Sequence, residues 1–164
     1  PRVGLLSIGE EAIKGNELTR DAHHLLSKSD IRFIGNLEAR DLYSGDADVV
    51  VCDGFTGNVA LKVSEGLVEV VEDLLRDELS RTFTTQLGYL LSRRSYRRFR
   101  RRVDYSEYGG APLLGVAGLA VVGHGRSSVK AVRNALALTH RFVKEDFVQT
   151  IAENMSSLSS ERRN

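Results

Sequence analysis

The sequence predicts an α/β fold with a mostly parallel sheet, because short apolar strands alternate along the chain with amphipathic helices. Two of the strands, at residues 3–8 and 48–52, are continuous apolar runs without polar alternation, which is typical of sheets covered on both faces. The 164 residues are 41% hydrophobic and 27% charged, which suits a packed domain and excludes disordered, collagen-like and membrane-spanning chains.

The first half of the chain supplies most of the predicted sheet. We expect three strands, at residues 3–8, 31–35 and 48–52. A polar loop at residues 9–16 follows the first strand, and a helix over 17–27 follows the loop, with its leucines on one face. The third strand runs into residues 53–58, and a long amphipathic helix then extends to about residue 79.

The second half is mostly helical. The pattern predicts two helical segments within residues 80–103, separated by a turn at 92–95. A loop, a strand and a helix then follow, at residues 104–112, 119–122 and 127–154. The polar tail at residues 156–164 predicts disorder.

The net charge of +1 hides a strong asymmetry. Residues 92–103 contain seven arginines and no acid, so the rest of the chain carries 16 basic against 22 acidic residues. A cationic helical segment on an acidic body indicates a negatively charged partner.

Other counts exclude several classes of protein. A single cysteine, Cys52, allows no internal disulfide, and the four histidines show no metal-binding spacing. The longest apolar run covers 11 residues, at 113–123, which is too short to cross a bilayer. The chain begins at Pro1, directly on a strand, and we interpret this as the mark of a fragment.

Two loops are candidates for binding an anion, because ligands of open parallel sheets bind at the carboxyl ends of the strands. The first loop carries Lys14, Gly15 and Asn16, and the second runs from residue 53 to Asn58, where the next helix begins. Small residues let backbone N–H groups approach an anion, and the helix N-terminus favours negative charge. The two loops together predict a phosphate cradle, although each alone is equally consistent with a glycine-capped turn.

Four further candidates are weaker. Cys52 ends an apolar strand, so we favour a buried structural thiol over a nucleophile. His124 lies between a strand and a helix, as a binding residue or as a loop histidine near a helix cap. We expect His23 and His24 to lie on the surface, and Glu10 with Glu11 to be solvated or to complement a helix dipole.

Five ordered blocks of the chain resemble the phosphate acyltransferase (PlsX) family of bacterial phospholipid synthesis. The blocks are residues 4–17, 33–41, 48–58, 104–115 and 124–125. The family chain is much longer, so the resemblance identifies residues 1–155 as its C-terminal half. Residues 80–103 then resemble a protruding helical hairpin inserted in that half. Phosphate acetyl- and butyryltransferases, which also make acyl phosphates, look similar at the two loops.

The resemblance implies a three-layer αβα fold of the isopropylmalate-dehydrogenase-like type. It implies an enzyme that moves a long fatty acyl chain from acyl carrier protein to inorganic phosphate, without a cofactor or metal. By position, Lys14 and Asn58 match as catalytic residues, and the residues matching phosphate or substrate binding are Asn16, Thr56, Gly57 and His124. Direct attack of bound phosphate on the thioester, with Asn58 near the developing oxyanion, fits these residue types.

The arginine-rich segment has four interpretations, which are a solvated helix face, a nucleic-acid arm, an anionic-membrane surface and a docking surface for acyl carrier protein. We favour contact with the membrane and with a second subunit, as the family resemblance implies, and expect no nucleic acid partner. The residues expected at this surface are Leu87, Leu90, Leu91, Arg97, Arg98, Phe99 and Arg101.

The predicted protein is therefore a cytoplasmic, peripherally membrane-associated homodimer that makes acyl phosphate. Two alternatives stay open. One is a short-chain acyl-CoA:phosphate acyltransferase, and the other is a nucleic-acid-binding module with a basic arm.

Overall fold

The computed structural model describes residues 1–125 and 127–161. The chain divides into two compact units, Pro1–Asp73 and Leu74–Asn164. The described residues form five α-helices, a small parallel sheet and a two-stranded ladder, which confirms the α/β class. The three-layer arrangement and the isopropylmalate-dehydrogenase-like topology stay predictions.

The first unit is built on a parallel sheet with the strand order β2-β1-β3. Its strands are β1 (Arg2–Leu6), β2 (Arg32–Leu37) and β3 (Val49–Val51). Both β2 and β3 pair with β1 in parallel. The central strand is the most buried element, and its Leu5 side chain is only 2% exposed.

Three connections complete the first unit. The helix α1 (Glu17–Ser27) packs against β1 and β2 and confirms the predicted bounds. A short 3₁₀ helix, Ala39–Tyr43, leads to β3. The helix α2 (Gly54–Ser80) begins earlier than expected, so Asn58 lies inside its first turns instead of just before them.

The second unit contains the cationic helix. The helix α3 (Phe83–Val103) is continuous, so the predicted turn at residues 92–95 is wrong. The chain breaks instead at residues 81–82, because the Thr82 side chain accepts a hydrogen bond from the Thr85 backbone N–H and starts a new helix. Residues 80–103 therefore hold one helix after this break.

A short 3₁₀ turn, Tyr105–Glu107, follows α3 and is tied to the helix α4 (Val129–Lys144). The Lys130 ammonium lies 2.8 Å from an Asp104 carboxylate oxygen and 2.6 Å from a Glu107 carboxylate oxygen. Burial raises the pKa of Asp104, but hydrogen bonds from Lys130 and Ser106 outweigh it and hold that pKa below its usual value. These bonds join the end of the cationic helix to α4.

The strands β4 (Ala111–Pro112) and β5 (Val121–Val122) form an antiparallel pair, so the parallel pairing holds only for the larger sheet. The helix predicted over residues 127–154 is two helices, α4 and α5 (Phe147–Glu161). They are separated at Asp146, whose φ of 46° lies in the left-handed region that aspartate tolerates better than most residues. The helix α5 includes residues 156–161, which the sequence assigned to a disordered tail, and residues 162–164 of that prediction lie outside the described residues.

Candidate functional site

The two candidate loops of the first unit leave neighbouring strands. The loop at residues 7–16 follows β1, and the loop at residues 52–53 follows β3 and leads into α2. Because β1 is the central strand, the chain passes from β1 to the edge strand β2 and later to the opposite edge strand β3. Loops that diverge from adjacent parallel strands open a crevice at their carboxyl ends, which is where ligands of such sheets bind.

The first loop is held at the start of α1 by Gly15 and Asn16. Gly15 has a φ of 97°, and a Cβ there would overlap the Thr19 hydroxyl and approach the Ser7 hydroxyl to 2.9 Å. The Asn16 side-chain oxygen accepts a hydrogen bond of 2.9 Å from the Thr19 backbone N–H and caps α1. Asn16 therefore uses its side-chain oxygen in the fold, whereas its NH₂ group has no partner among the described residues.

Lys14 lies on the outer side of this loop. Its side chain is exposed, its stem passes over Gly9, and its ammonium has no ion-pair partner among the described residues. Its backbone N–H donates to the Glu11 carbonyl oxygen at 3.0 Å. The cation is therefore available to an anion that approaches the carboxyl end of β1.

A buried amide that the sequence reasoning missed supports the same loop. Asn36 at the end of β2 is 5% exposed, donates to the Glu11 carbonyl oxygen at 2.8 Å, and lies 2.9 Å from His23 Nδ1. His23 is thus half-buried rather than on the surface as expected, whereas His24 is exposed as predicted. The signal available in the sequence was an asparagine directly after the predicted strand at residues 31–35, since such a side chain needs a partner when buried.

The second loop differs from the predicted cradle. The Asp53 carboxylate accepts hydrogen bonds of 2.9 Å from the backbone N–H groups of Phe55 and Thr56, and one from the Thr56 hydroxyl. These bonds, the one from the Thr56 hydroxyl foremost, hold the Asp53 pKa below its usual value. A carboxylate of the chain itself thus occupies the donors that begin α2, and the Thr56 hydroxyl donates to it instead of to a ligand.

Gly57 and Asn58 follow on the first turns of α2. A Cβ at Gly57 would lie 2.7 Å from the Cys52 sulfur, so the glycine makes room for that thiol. The thiol is exposed, which contradicts the expected buried structural role, because β3 ends at Val51 and leaves Cys52 outside the sheet. The Asn58 side chain is exposed and has no hydrogen-bond partner among the described residues.

The structure therefore places Lys14 and Asn16 on the loop after β1, and Thr56, Gly57 and Asn58 on the first turns of α2, which follows the adjacent strand β3. His124 belongs to the second unit, where it is half-buried. Its carbonyl oxygen accepts hydrogen bonds from the Ser127 backbone N–H at 3.0 Å and the Ser127 hydroxyl at 2.6 Å. No group of His, Cys, Asp and Glu within the described ranges is arranged to hold a metal ion.

The cationic helix α3 exposes one continuous face, which we call the leucine–arginine face. Helical spacing aligns its residues along one side, apolar in the first half and basic in the second. They are Phe83, Leu87, Leu90, Leu91, Arg94, Arg97, Arg98 and Arg101. All of these side chains are exposed, and within residues 1–125 and 127–161 none of the four arginines has an acidic partner.

Phe99 was expected on the same surface, but helical spacing places it on the opposite side, next to the half-buried Tyr96. Tyr96 packs against Tyr89 with ring centroids 5.2 Å apart.

In the part of the chain that the structure describes, no helix is long and apolar enough to cross a membrane.

Comparison with known proteins identifies relatives along most of the chain. A family model described as "Fatty acid synthesis protein" matches residues 1–150. The phosphate acyltransferase of Syntrophotalea carbinolica is 54% identical over 145 residues, which are 88% of this chain and 42% of the relative. That of Citrifermentans bemidjiense is 51% identical over 156 residues, which are 95% of this chain and 44% of the relative. That of Acidobacterium capsulatum is 54% identical over 142 residues, which are 87% of this chain and 42% of the relative. The chain therefore spans less than half the length of these relatives.

Proposed function

Because this chain belongs to the phosphate acyltransferase family, we propose that the full-length protein transfers a long-chain fatty acyl group from acyl carrier protein to inorganic phosphate. The product, an acyl phosphate, then supplies acyl groups for phospholipid synthesis. One observation carries the proposal. Lys14, a cation, lies on the loop that follows β1, and Asn58, an amide, lies on the first turns of the helix that follows the adjacent strand β3; neither side chain has a partner among the described residues.

In the proposed reaction a phosphate oxygen attacks the carbonyl carbon of the thioester. A C–O bond forms, the C–S bond breaks, and the carrier protein leaves as a thiolate that takes up a proton from water. Lys14 holds the phosphate by charge and orients it toward the carbonyl carbon, which converts an encounter between two solutes into a reaction within one site. The acyl group passes directly to phosphate, so no residue of the chain needs to act as a nucleophile.

Asn58 has the chemistry to stabilise the carbonyl oxygen as negative charge develops on it. Its side-chain NH₂ group is a donor, and its position on α2 keeps it on a rigid element. A donor held in place before the reaction contributes more to the transition state than to the bound substrate. We therefore assign the oxyanion to Asn58 and the phosphate to Lys14.

The remaining candidates take more limited roles in the proposal. Thr56 holds the Asp53 carboxylate at the start of α2, and Gly57 makes room for the Cys52 thiol. The Asn16 NH₂ group is a second donor for the phosphate, since only its oxygen caps α1. His124 is proposed as a phosphate ligand on the family resemblance alone.

The test is an assay of the full-length protein for phosphate-dependent loss of a long-chain acyl carrier protein thioester. Lys14→Ala is expected to lower kcat/KM for phosphate about 100-fold, and Asn58→Ala to lower kcat by about 10²–10³-fold, as for other oxyanion donors. Lys28→Ala is the matched control, because Lys28 is an exposed lysine at the opposite end of α1. Full activity in both Lys14→Ala and Asn58→Ala would overturn the residue assignment.

The acyl donor is tested in the same assay. We expect long-chain acyl carrier protein to react faster than acetyl- or butyryl-CoA at equal concentration. The reverse order would favour a short-chain acyl-CoA:phosphate acyltransferase, the second reaction that the same two loops can support.

The leucine–arginine face supports a further part of the proposal, which is peripheral contact with an anionic membrane. The face has leucines at one end and arginines at the other, and these arginines have no acidic partner among the described residues. This pattern is typical of helices that lie in the membrane interface. Such contact suits an enzyme whose product carries a long apolar chain. The family resemblance also implies a homodimer. Size-exclusion chromatography of the full-length protein with light scattering would test this by measuring its mass in solution.

Vesicle flotation with and without anionic lipid tests the membrane contact. Changing Arg97, Arg98 and Arg101 to Gln removes three charges, each worth about 1 kcal/mol at an anionic surface, so binding should weaken about 100-fold. The charge-matched control changes Lys28, Arg32 and Lys144 to Gln, all of which are exposed and lie off α3. Equal losses in both triple variants, or binding to RNA but not to vesicles, would contradict the proposal.

A further inference from the structure

Asn36 is a buried polar side chain in the first unit and uses both ends of its amide. Its Nδ2 donates to the Glu11 carbonyl oxygen at 2.8 Å, and its Oδ1 lies 2.9 Å from His23 Nδ1. At 5% exposure the amide is withdrawn from water, so either bond is replaced poorly by solvent if it is lost. The side chain thereby joins the end of β2 to the loop that follows β1.

The Glu11 carbonyl links Asn36 directly to Lys14. This oxygen also accepts the Lys14 backbone N–H at 3.0 Å, so two donors share one acceptor. A carbonyl oxygen has two lone pairs and accommodates both. The hydrogen bond that closes the turn at Lys14 therefore ends on a carbonyl oxygen that Asn36 also holds in place.

His23 orients the amide. Because the Asn36 oxygen only accepts, His23 Nδ1 carries the proton and donates it, and the Nδ2 of Asn36 is left facing Glu11. The His23 ring in turn meets the Phe33 ring edge-on, with centroids 5.1 Å apart. Rotation of the amide would break both of its bonds, so the network favours a single arrangement.

We propose that Asn36 and His23 are positioning residues that set the location of the Lys14 ammonium and thereby the affinity for phosphate. This inference rests on the proposed function of Lys14. Neither residue needs to touch the substrate, because both act through the Glu11 carbonyl.

The first test is Asn36→Asp in the full-length protein. The carboxylate keeps the size of the side chain and still accepts from His23, but it sets an acceptor oxygen against the Glu11 carbonyl. The KM for phosphate is expected to rise about tenfold while kcat changes less than about twofold. His24→Ala is the control, since His24 is the exposed neighbour of His23, and both kinetic constants should stay unchanged. Equal losses of kcat and kcat/KM in Asn36→Asp would contradict a positioning role.

A double variant tests whether the effect passes through Lys14. In a Lys14→Ala background, adding Asn36→Asp should change the KM for phosphate by less than about twofold, since the cation to be positioned is already absent. A full further tenfold rise would show that Asn36 acts by another route and would overturn the inference.

Amide hydrogen exchange provides a measurement that is independent of activity. Asn36→Asp should speed exchange of the Lys14 backbone N–H about tenfold, because the carbonyl that accepts it loses its support. Unchanged exchange at Lys14 overturns the inference whatever the activity. If exchange at Lys14 is faster in Asn36→Asp but the KM for phosphate is unchanged in Lys14→Ala, Asn36 positions the loop and Lys14 does not bind phosphate.

His23→Phe repeats the test if Asn36→Asp does not fold. Phenylalanine keeps an aromatic ring against Phe33 and removes both ring nitrogens, of which Nδ1 is the donor to Asn36. We expect about a threefold rise in the phosphate KM and about threefold faster exchange at Lys14, and no change in either would overturn the inference.

Discussion

Replacing Gly15 with alanine tests the geometry of the loop that carries Lys14. The φ of 97° at Gly15 lies in a region that residues with a Cβ rarely adopt. The new Cβ would also overlap the Thr19 hydroxyl and lie 2.9 Å from the Ser7 hydroxyl. Thr19 cannot turn aside freely, because its hydroxyl donates to the Asn16 carbonyl oxygen at 2.9 Å at the start of α1.

The expected cost has two parts. Holding a residue other than glycine in this backbone region costs about 1–3 kcal/mol. Overpacking a site that is already filled costs about another 1–3 kcal/mol. Gly15→Ala should therefore lower the free energy of unfolding by about 2–6 kcal/mol.

Gly45→Ala separates the two parts. Gly45 has a similar φ of 84°, but no atom of the described residues lies within 4 Å of the position that its Cβ would take, so only the backbone cost applies. Urea denaturation of the full-length protein, followed by circular dichroism, gives the urea midpoint of each variant. When the slope m of the free energy against urea concentration is unchanged, a shift in midpoint reports a change in stability. Gly45→Ala should lower the free energy of unfolding by about 1–3 kcal/mol, and Gly15→Ala by a larger amount.

A second variant isolates the overlap with Thr19. Adding Thr19→Ala removes the hydroxyl that the new Cβ meets, so the double variant should cost less than the sum of the two single variants. If Gly15→Ala costs no more than Gly45→Ala, and the two changes at Gly15 and Thr19 are additive, the close packing of this loop is refuted.

Three further predictions concern the core, the start of α2 and the cationic helix. Leu5→Ala, at a side chain that is 2% exposed, should lower the free energy of unfolding by about 2–5 kcal/mol in urea denaturation. Hydrogen bonds hold the Asp53 pKa below 3.8, so its stabilisation is present above that pH and is lost as the pH falls toward the lowered pKa. The difference in urea midpoint between the wild type and Asp53→Asn should therefore shrink on acidification, and a constant difference would contradict this. Ser95→Pro interrupts the continuous helix α3, so it should reduce the helix content measured by circular dichroism and lower the free energy of unfolding by about 3 kcal/mol. If residues 92–95 formed a turn instead, the variant would keep the helix content and the melting temperature of the wild type.

Local signals predicted some elements well and others poorly. The helix α1 was predicted with its observed bounds, because Asn16 is a strong N-cap and the apolar spacing that follows is regular. The break between α4 and α5 was missed, because the helical pattern continues through it. A local contact stabilises that break, since the Phe142 and Phe147 rings stack across it with centroids 4.3 Å apart.

The cationic segment shows the opposite error. A turn was predicted at residues 92–95, yet these residues contain neither glycine nor proline, and arginine is a good helix former. The Thr82 side chain instead accepts from the Thr85 backbone N–H, and the Thr85 side chain from the Thr82 backbone N–H, which places the break at residues 81–82 and starts one helix there. The exposed leucine–arginine face follows from that single helix, which places Phe99 on the other side.

The sequence by itself determined the α/β class, the apolar strands and the loop that carries Lys14, and it placed Asn58 near the carboxyl end of the third strand. Apolar runs and helical periodicity are local properties, so they are readable without the partners of each strand. Only the tertiary structure decided that β1 lies between β2 and β3 and that Asn36 supports the Lys14 loop. These features depend on hydrogen bonds between residues distant along the chain, which no local pattern encodes.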